Sequence, residues 1–275
     1  MSRLPITFQR LHTQGRKALI PYLTPAYPHP DITPSLMHAL VQAGADIIEL
    51  GIPFSDPSAD GPAIQYANEL ALAHGMTLPR VLDIVREFRR QNTRTPVVLM
   101  GYANPVEQYD QHEQPGAFAA AAGQAGVDGV LIVDYPLEVS AQLAHDLANH
   151  GMDLILLLTP ATSDERIQQI AQRASGYAYC VSVKGVTGTQ ALKLDLVRHT
   201  LERARRHIRL PLGVGFGIRD ADTAQAVARH ADAIIVGSWL LENLRDKSPN
   251  DALHAARNLI DTLRRHLDAI VAPVS

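Results

Sequence analysis

Short apolar runs alternate along the chain with longer stretches in which apolar residues recur every three or four positions. The runs predict strands, and the stretches between them predict amphipathic helices. Because the runs are uniformly apolar, they indicate a parallel sheet covered by helices. The eight runs are ALIPYL from 18, DIIELG from 46, PVVLMG from 96, DGVLIVD from 128, MDLILLL from 152, GYAYCVS from 176, LPLGVGF from 210 and ADAIIVG from 231.

A faint internal repeat supports this division. Four segments end a helix on a small corner residue and continue with Asp and an apolar run, and they read QAGADIIELG, QAGVDGVLIVD, NHGMDLILLL and ARHADAIIVG. Eight strands with intervening helices favour an α/β fold of the closed (β/α)8 type, the TIM barrel, over an open doubly wound sheet with fewer strands. The last covering helix is predicted near the C-terminus, with one apolar face made of Leu253, Leu259, Ile260, Leu263, Leu267 and Ile270.

Composition narrows the class of protein. A chain of 275 residues suits one barrel domain of about 250 residues, so we expect residues 1–275 to form a single domain. A net charge of −3 gives no footprint for nucleic acid or an anionic membrane. The single cysteine, Cys180, excludes a disulfide framework, and no apolar run reaches the length of a membrane span. We therefore expect a soluble, cytoplasmic protein.

Two carboxylates mark the candidate chemistry. Barrel enzymes place their working groups at the carboxyl ends of the strands, where Glu49 and Asp60 fall within ELGIPFSDPSADGP. The chain has no lysine or arginine between Lys17 and Arg80 to neutralise them. The alternatives are that backbone amides or a distant arginine satisfy Glu49, that Asp60 caps the next helix, and that Asp56 only makes an Asx turn.

Glycine-bearing loops follow the last three predicted strands. GVGFGIRD and IVGSWLL stand after strands seven and eight, where barrel enzymes often bind phosphate through backbone N–H groups, so a phosphorylated substrate is predicted. SVKGVTGTQ, after strand six, is either a mobile lid or an ordinary connection. Side chains near the strand ends could form either an aromatic slot or core; they are Tyr22, Ile64, Met100, Tyr102, Tyr179 and Phe216.

Other chemistries are weaker readings of the sequence. The histidines show no metal-binding spacing, so no metal is expected. Lys184, just past strand six, leaves open a Schiff-base aldolase. A non-catalytic barrel that binds a phosphorylated ligand and switches a partner enzyme is a further alternative.

The motifs ELGIPFSDPSADGP, LMGYANP, VLIVDYP, SVKGVTG, GFGIRD and IVGS occur in the order and strand positions of one family. In these motifs the chain resembles the tryptophan synthase alpha chain family, from about Tyr22 to Ser238. The resemblance implies a lyase of tryptophan biosynthesis that cleaves indole-3-glycerol phosphate to indole and glyceraldehyde 3-phosphate in a retro-aldol reaction. It also implies that this chain needs no cofactor or metal of its own.

The resemblance assigns roles to individual residues. Glu49 would move the protons at indole C3 and the chain hydroxyl, and Asp60 would accept a hydrogen bond from the indole nitrogen. Thr187 is implied to bond Asp60 when the lid closes. The implied indole contacts are Tyr22, Ile64, Met100, Tyr102, Leu131, Tyr179 and Phe216. The implied phosphate contacts are Gly188, Phe216, Gly217, Gly237 and Ser238.

The resemblance also implies a partner. Family members pair with a beta chain that carries pyridoxal phosphate, in an alpha2beta2 complex, and Pro53 and Asp56 would contact it. The chain departs from the family pattern after strand one, where TPAYP has Ala26 and Tyr27 in place of a Gly-Asp pair. This departure affects the shape of the first loop and any partner contact made there.

Overall fold

The computed structural model describes residues 1–181, 190–215 and 217–270, with side chains for all of these except 190–193. The strands in this part of the chain are β1 (Ala18–Leu23), β2 (Ile48–Gly51), β3 (Val97–Gly101), β4 (Gly129–Ile132), β5 (Asp153–Leu154), β6 (Leu156–Leu158), β7 (Ala178–Val181), β8 (Leu212–Gly215) and β9 (Ala233–Val236). They form one parallel sheet in the order β5-β4-β3-β2-β1-β9-β8-β7-β6. Every predicted run contains a strand.

The sheet closes into a barrel through the chain itself. β5 and β6 are the two ends of the strand order, and only Ile155 separates them in sequence. The Ile155 N–H donates to the Val130 carbonyl at 2.9 Å, so the main chain stays attached to β4 through the interruption. The fifth predicted strand is thus one interrupted strand, and the eight-stranded TIM barrel predicted from the sequence is confirmed.

Helices alternate with the strands and cover the barrel. They are α1 (Leu4–Thr13), α2 (Thr33–Gln42), α3 (Pro62–Ala73), α4 (Leu78–Arg89), α5 (Ala103–His112), α6 (Ala117–Ala125), α7 (Ser140–Asn149), α8 (Asp164–Arg173), α9 (Gln190–Arg205), α10 (Ala221–Ala228), α11 (Ser238–Leu244) and α12 (Pro249–Asp268). The predicted final helix is α12, whose buried face includes Leu259, Ile260, Leu263 and Leu267. Among the described residues, no helix is long and apolar enough to cross a membrane.

A repeated hydrogen-bonded ring at the amino-terminal ends of the strands explains the Asp repeat. In each ring, a polar residue just before β2, β4, β7 or β9 donates its backbone N–H to the carbonyl oxygen of a residue in β1, β3, β5 or β8, respectively. The same residue of that strand donates its own N–H back to the polar side chain. The four pairs are Asp46 with Leu19, Asp128 with Val97, Ser175 with Leu154 and Asp232 with Leu212.

These rings satisfy an N–H group of the first or second residue in four strands, at 2.9–3.1 Å. Asp153, the remaining aspartate of the sequence repeat, makes no such ring, and Ser175 supplies the equivalent oxygen one strand later. Because a buried carboxylate is costly unless it is paired, Asp128 also receives hydrogen bonds from Arg3 and Arg89. The repeat therefore stabilises the end of the barrel opposite the candidate chemistry.

The loop after β1 shows how the chain accommodates its departure from the family pattern. Ala26 has φ 60°, in the left-handed region that usually favours glycine, and Tyr27 precedes Pro28 through a cis peptide bond. The Ala26 N–H donates to Thr33 Oγ1 at 2.8 Å, and His74 Nδ1 lies 3.0 Å from the Ala26 carbonyl oxygen. These contacts, which do not require a glycine, hold the loop at the mouth of the barrel.

Candidate active site

Glu49 is a fully buried carboxylate inside the barrel. It lies in β2, with Tyr22 of β1 and Val98 of β3 as its neighbours across the sheet. Its side chain is 0% exposed, and the Tyr177 hydroxyl donates to Oε1 at 2.5 Å. Oε2 has no hydrogen-bond partner among the residues that the structure describes.

Burial changes the proton affinity of this group. It raises the pKa of Glu49 from 4.5 to about 7, because desolvation disfavours the charged form, and the hydrogen bond from Tyr177 opposes the rise. Within the described parts of the chain, no lysine, arginine or histidine nitrogen lies within 4.0 Å of Glu49. Near neutral pH the side chain can therefore exist in both its acid and its base form.

Asp60 lies at the end of the loop that connects β2 to α3. It immediately precedes Gly61, the N-cap residue of α3, and is 6% exposed. The Tyr102 hydroxyl donates to Asp60 Oδ2 at 3.0 Å and accepts a hydrogen bond from the Ala59 N–H at the same distance. Tyr102 thereby ties the loop to the end of β3 and orients the carboxylate.

A cavity opens beside Glu49 at the carboxyl ends of the strands. Four of the predicted indole contacts line it: Tyr22, Ile64, Met100 and Tyr179. Three of the predicted phosphate contacts line it as well: Gly217, Gly237 and Ser238. The structure thus brings the two predicted contact sets together around Glu49, and it adds Ile218 and Ile235 to the wall.

Two predicted indole contacts, Leu131 and Tyr102, do not line this cavity. Leu131 is fully buried in β4 and is not among the residues that line this cavity. Tyr102 contacts Asp60 through its hydroxyl. Three predicted contacts, Thr187, Gly188 and Phe216, lie outside the described residues, as does Lys184 of the aldolase alternative.

The charges of Glu49 and Asp60 both act on two buried tyrosine hydroxyls, those of Tyr22 and Tyr179. The pKa of Tyr22 is raised by burial and by the negative charges of Asp60 and Glu49, and the pKa of Tyr179 is raised by burial and by Glu49 and Asp60. Glycine makes room for each hydroxyl, because a Cβ at Gly51 would overlap Tyr22 Oη and a Cβ at Gly215 would overlap Tyr179 Oη. Both hydroxyls therefore lie in the field of the two acids.

Besides Ile218 and Ile235, Tyr177 is a site residue that the sequence did not predict. It immediately precedes β7 and is fully buried, and its hydroxyl reaches Glu49 across the barrel. Tyr179, which was predicted, stands two residues later. Since side chains two residues apart in a strand point the same way, the Tyr-x-Tyr spacing was the signal that could have found it.

The predicted partner contacts differ in exposure. Asp56 is exposed in the loop after β2 and accepts a hydrogen bond from the Ser55 hydroxyl at 2.6 Å, whereas Pro53 is buried within this chain. Across the described residues, no group of three or more His, Cys, Asp or Glu side chains could hold a metal ion.

The chain is similar in sequence to proteins of one family over almost its whole length. The family model described as tryptophan synthase alpha chain matches residues 8–270. The tryptophan synthase alpha chain of Acidovorax sp. (strain JS42) is 56% identical over 269 residues, covering 98% of this chain and 100% of that protein. The tryptophan synthase alpha chain of Delftia acidovorans is 54% identical, with the same coverage of both chains.

Solved structures agree in fold. The crystal structure of tryptophan synthase subunit alpha from Legionella pneumophila str. Paris has a TM-score of 0.88 and 42% identity, covering 98% of this chain and 100% of that one. The aminoacrylate-bound form of tryptophan synthase from M. tuberculosis has a TM-score of 0.83 and 32% identity, covering 97% and 100%.

Proposed function

This chain belongs to the tryptophan synthase alpha chain family, and from that premise we propose that Glu49 and Asp60 carry out its reaction. The chain is an enzymatic subunit of tryptophan biosynthesis that cleaves indole-3-glycerol phosphate to indole and glyceraldehyde 3-phosphate. The observation that carries the residue assignment is the buried Glu49 carboxylate, which lines the cavity and has a pKa raised to about 7.

Glu49 is assigned the proton transfers at the bond that breaks. Cleavage requires a proton at C3 of the indole and removal of the proton from the adjacent chain hydroxyl. The bond from C3 to the hydroxyl-bearing carbon then breaks, its electrons return to the indole ring, and that carbon becomes the aldehyde. A carboxyl group with a pKa near the working pH suits both transfers, because it can give and take a proton without a large energetic penalty.

Asp60 is assigned to the indole nitrogen. Protonation at C3 places positive charge on the ring, and a carboxylate that accepts the ring N–H hydrogen bond stabilises that charge. The hydrogen bond from Tyr102 supports this role, because it holds Asp60 in position at the start of α3. Thr187 is proposed as a further partner of Asp60 when a substrate is bound.

The phosphate is proposed to bind backbone N–H groups at the far side of the cavity. Gly217, Gly237 and Ser238 line the cavity that also contains Glu49, and Gly217 has φ 80°, which favours glycine. Among the described residues, no lysine or arginine lines it. Main-chain N–H groups can hold a dianion without a cationic side chain. Gly188 and Phe216 are proposed to complete this set.

The indole ring is proposed to lie between the phosphate end and Glu49. Tyr22, Ile64, Met100 and Tyr179 supply the apolar surface of the cavity there, and Tyr102, Leu131 and Phe216 are proposed to extend it. An apolar wall with a few polar groups is typical of small-molecule sites.

The partner is proposed to be a tryptophan synthase beta chain, in an alpha2beta2 complex, whose pyridoxal phosphate consumes the indole. Asp56 is exposed and available for that contact, and the neighbouring Pro53 is proposed to shape the contacting loop. We further propose that residues 1–275 form one domain and that the complex is cytoplasmic. Direct transfer between the subunits would keep the uncharged indole from diffusing away.

Steady-state cleavage of indole-3-glycerol phosphate, with and without the beta chain, tests the residue assignment. Glu49→Gln keeps the size of the side chain and removes its titration, and Asp60→Asn keeps a hydrogen-bond acceptor without the charge. Each is expected to lower kcat by about a hundredfold or more. Glu69→Gln, on the exposed face of α3, is the matched control and should leave the rate unchanged. Wild-type rates in Glu49→Gln would contradict the assignment.

A further inference from the structure

A second cavity lies outside the catalytic site. It is an open cleft of about 390 Å³ between the loop after β1, the helix α3 and the turn that joins α11 to α12. Its apolar walls are Tyr27, Pro28, Tyr66 and Leu70, and its charged wall contains Asp246 and Lys247. It has no lining residue in common with the cavity beside Glu49.

Both loops that form this cavity hold a residue in an unfavourable backbone conformation. Ala26 has φ 60° and Asp246 has φ 57°, and no other non-glycine residue in the described part of the chain has a positive φ. An L-residue in this region costs about 1–2 kcal/mol, and such conformations often occur at ligand-binding sites. Because both of these residues lie in the loops that border this cavity, it is a candidate ligand-binding site.

The walls are held in place without a ligand. The Tyr27 hydroxyl donates to the Leu241 carbonyl at 3.2 Å, and the Tyr27 ring meets the Tyr66 ring edge-on with centroids 6.2 Å apart. His29 Nε2 lies 2.7 Å from the Lys247 carbonyl oxygen, which ties the first loop to the turn before α12. The cavity is therefore preformed, so a ligand would not have to order it.

The charged residues beside the cavity are exposed, in the case of Arg245 and Asp246, or half-buried, in the case of Lys247. Arg245, Asp246 and Lys247 are consecutive, and none of them has an ion-pair partner within 4.0 Å among the described residues. The Arg245 guanidinium lies 4.0 Å from the centroid of the Tyr66 ring. Charges of both signs thus stand beside one aromatic surface.

We propose that this cavity binds a zwitterionic amino acid with a large apolar or aromatic side chain. Lys247 and Arg245 would pair with the carboxylate, Asp246 would pair with the ammonium group, and the side chain would pack on Tyr27, Tyr66 and Leu70. A dianion such as a phosphate monoester is disfavoured, because Asp246 lines the cavity. A simple cation is disfavoured by the two neighbouring basic groups for the same reason.

Isothermal titration calorimetry on the full chain tests the ligand class. L-tryptophan and L-leucine should bind, whereas tryptamine, which lacks the carboxylate, and indole-3-propionate, which lacks the ammonium group, should bind about tenfold more weakly than L-tryptophan. Equal binding of L-tryptophan and indole-3-propionate would overturn the zwitterion assignment. The absence of binding by both amino acids up to about 10 mM would overturn the site.

Substitutions then locate the binding. Lys247→Gln and Asp246→Asn should each weaken L-tryptophan binding about tenfold, and asparagine tolerates the left-handed conformation at position 246. Arg257→Gln, an exposed charge removal in α12, is the matched control and should leave the affinity unchanged. Affinity that survives both cavity substitutions would place the ligand elsewhere, for example beside Glu49, and would overturn the proposal.

The proposal stands apart from the catalytic assignment. Neither Lys247 nor Asp246 lines the cavity beside Glu49, so the two variants should cleave indole-3-glycerol phosphate at the wild-type rate when no amino acid is added. Failure of Glu49→Gln to lose cleavage activity would leave the amino-acid site untouched.

Discussion

Replacing Glu49 by glutamine should make the folded protein progressively more stable than the wild type as the pH rises. The carboxyl is fully buried and its pKa is raised from 4.5 to about 7 by desolvation. Glutamine keeps the side-chain volume and an oxygen that can accept the hydrogen bond from Tyr177. It removes the cost of ionising a buried group, and the new amide NH2 adds only a term that does not depend on pH.

The sign follows from proton binding. Between pH 4.5 and about 7 the folded protein holds a proton on Glu49 that the unfolded chain has released, so stability falls as the pH rises through this window. Each pKa unit is worth about 1.36 kcal/mol, which gives a cost of about 3 kcal/mol above the folded pKa. Below pH 4.5 the carboxyl is protonated in both states, and this cost disappears.

Urea-induced unfolding of both proteins between about pH 5 and about pH 8 measures the effect. The free energy of unfolding of Glu49→Gln minus that of the wild type should grow by about 2–3 kcal/mol across this range. Taking the difference cancels the titration of all other groups, and Glu69→Gln controls for the same chemical change on the surface. A difference that stays constant, or that shrinks as the pH rises, would refute the reasoning.

Three other changes test neighbouring parts of the account. Tyr177→Phe removes the hydrogen bond that opposes the rise in the Glu49 pKa, so this pKa should rise further. The free energies of unfolding of Tyr177→Phe and of the double variant Tyr177→Phe/Glu49→Gln should therefore diverge over a pH window that extends higher than the window for the wild type and Glu49→Gln. Asp128→Asn leaves Arg3 and Arg89 without their buried carboxylate and should cost about 3 kcal/mol in urea unfolding, while the exposed control Asp195→Asn should cost under about 1 kcal/mol. Ser238→Ala should raise KM for indole-3-glycerol phosphate roughly threefold to tenfold, with kcat little changed, if its hydroxyl contacts the phosphate; an unchanged KM would remove Ser238 from the phosphate site.

Local periodicity was sufficient to predict the barrel. A buried parallel strand needs apolar residues on both faces, so each strand is visible as a short run without reference to the rest of the chain. The interruption at Ile155 was not visible, because every residue from Leu154 to Leu158 is apolar. The break lies in the backbone geometry and not in the residue types.

The residues near Asp46 and Glu49 in the sequence do not reveal which of these two acids has a basic partner. Asp46 lies in the segment without lysine or arginine, yet Arg264 contacts it at 3.0 Å from 218 positions away, on the buried face of α12. Glu49, three residues later, has no such partner in the described residues. The packing of α12, with a further contact from Arg10 of α1 at 3.6 Å, distinguishes these two acids, so the sequence could not separate the structural acid from the candidate catalytic one.

The second cavity depends on the fold in the same way. The departure at Ala26 and Tyr27 was visible in the sequence, but the cavity also requires Tyr66 and the turn at Asp246, which are far apart along the chain. Nothing in the local sequence of these segments indicates that they meet. Their arrangement is set by the closure of β1 against β9.

The most direct test of the account is the titration of the Glu49 carboxyl itself. Carbon-13 NMR of side-chain-labelled glutamate, with the Glu49 signal identified by its loss in Glu49→Gln, reports the midpoint for this group alone. A buried acid without a neighbouring cation should titrate near pH 7. A midpoint near 4.5, the ordinary value for glutamate, would contradict the assignment of Glu49 as the proton-transfer group.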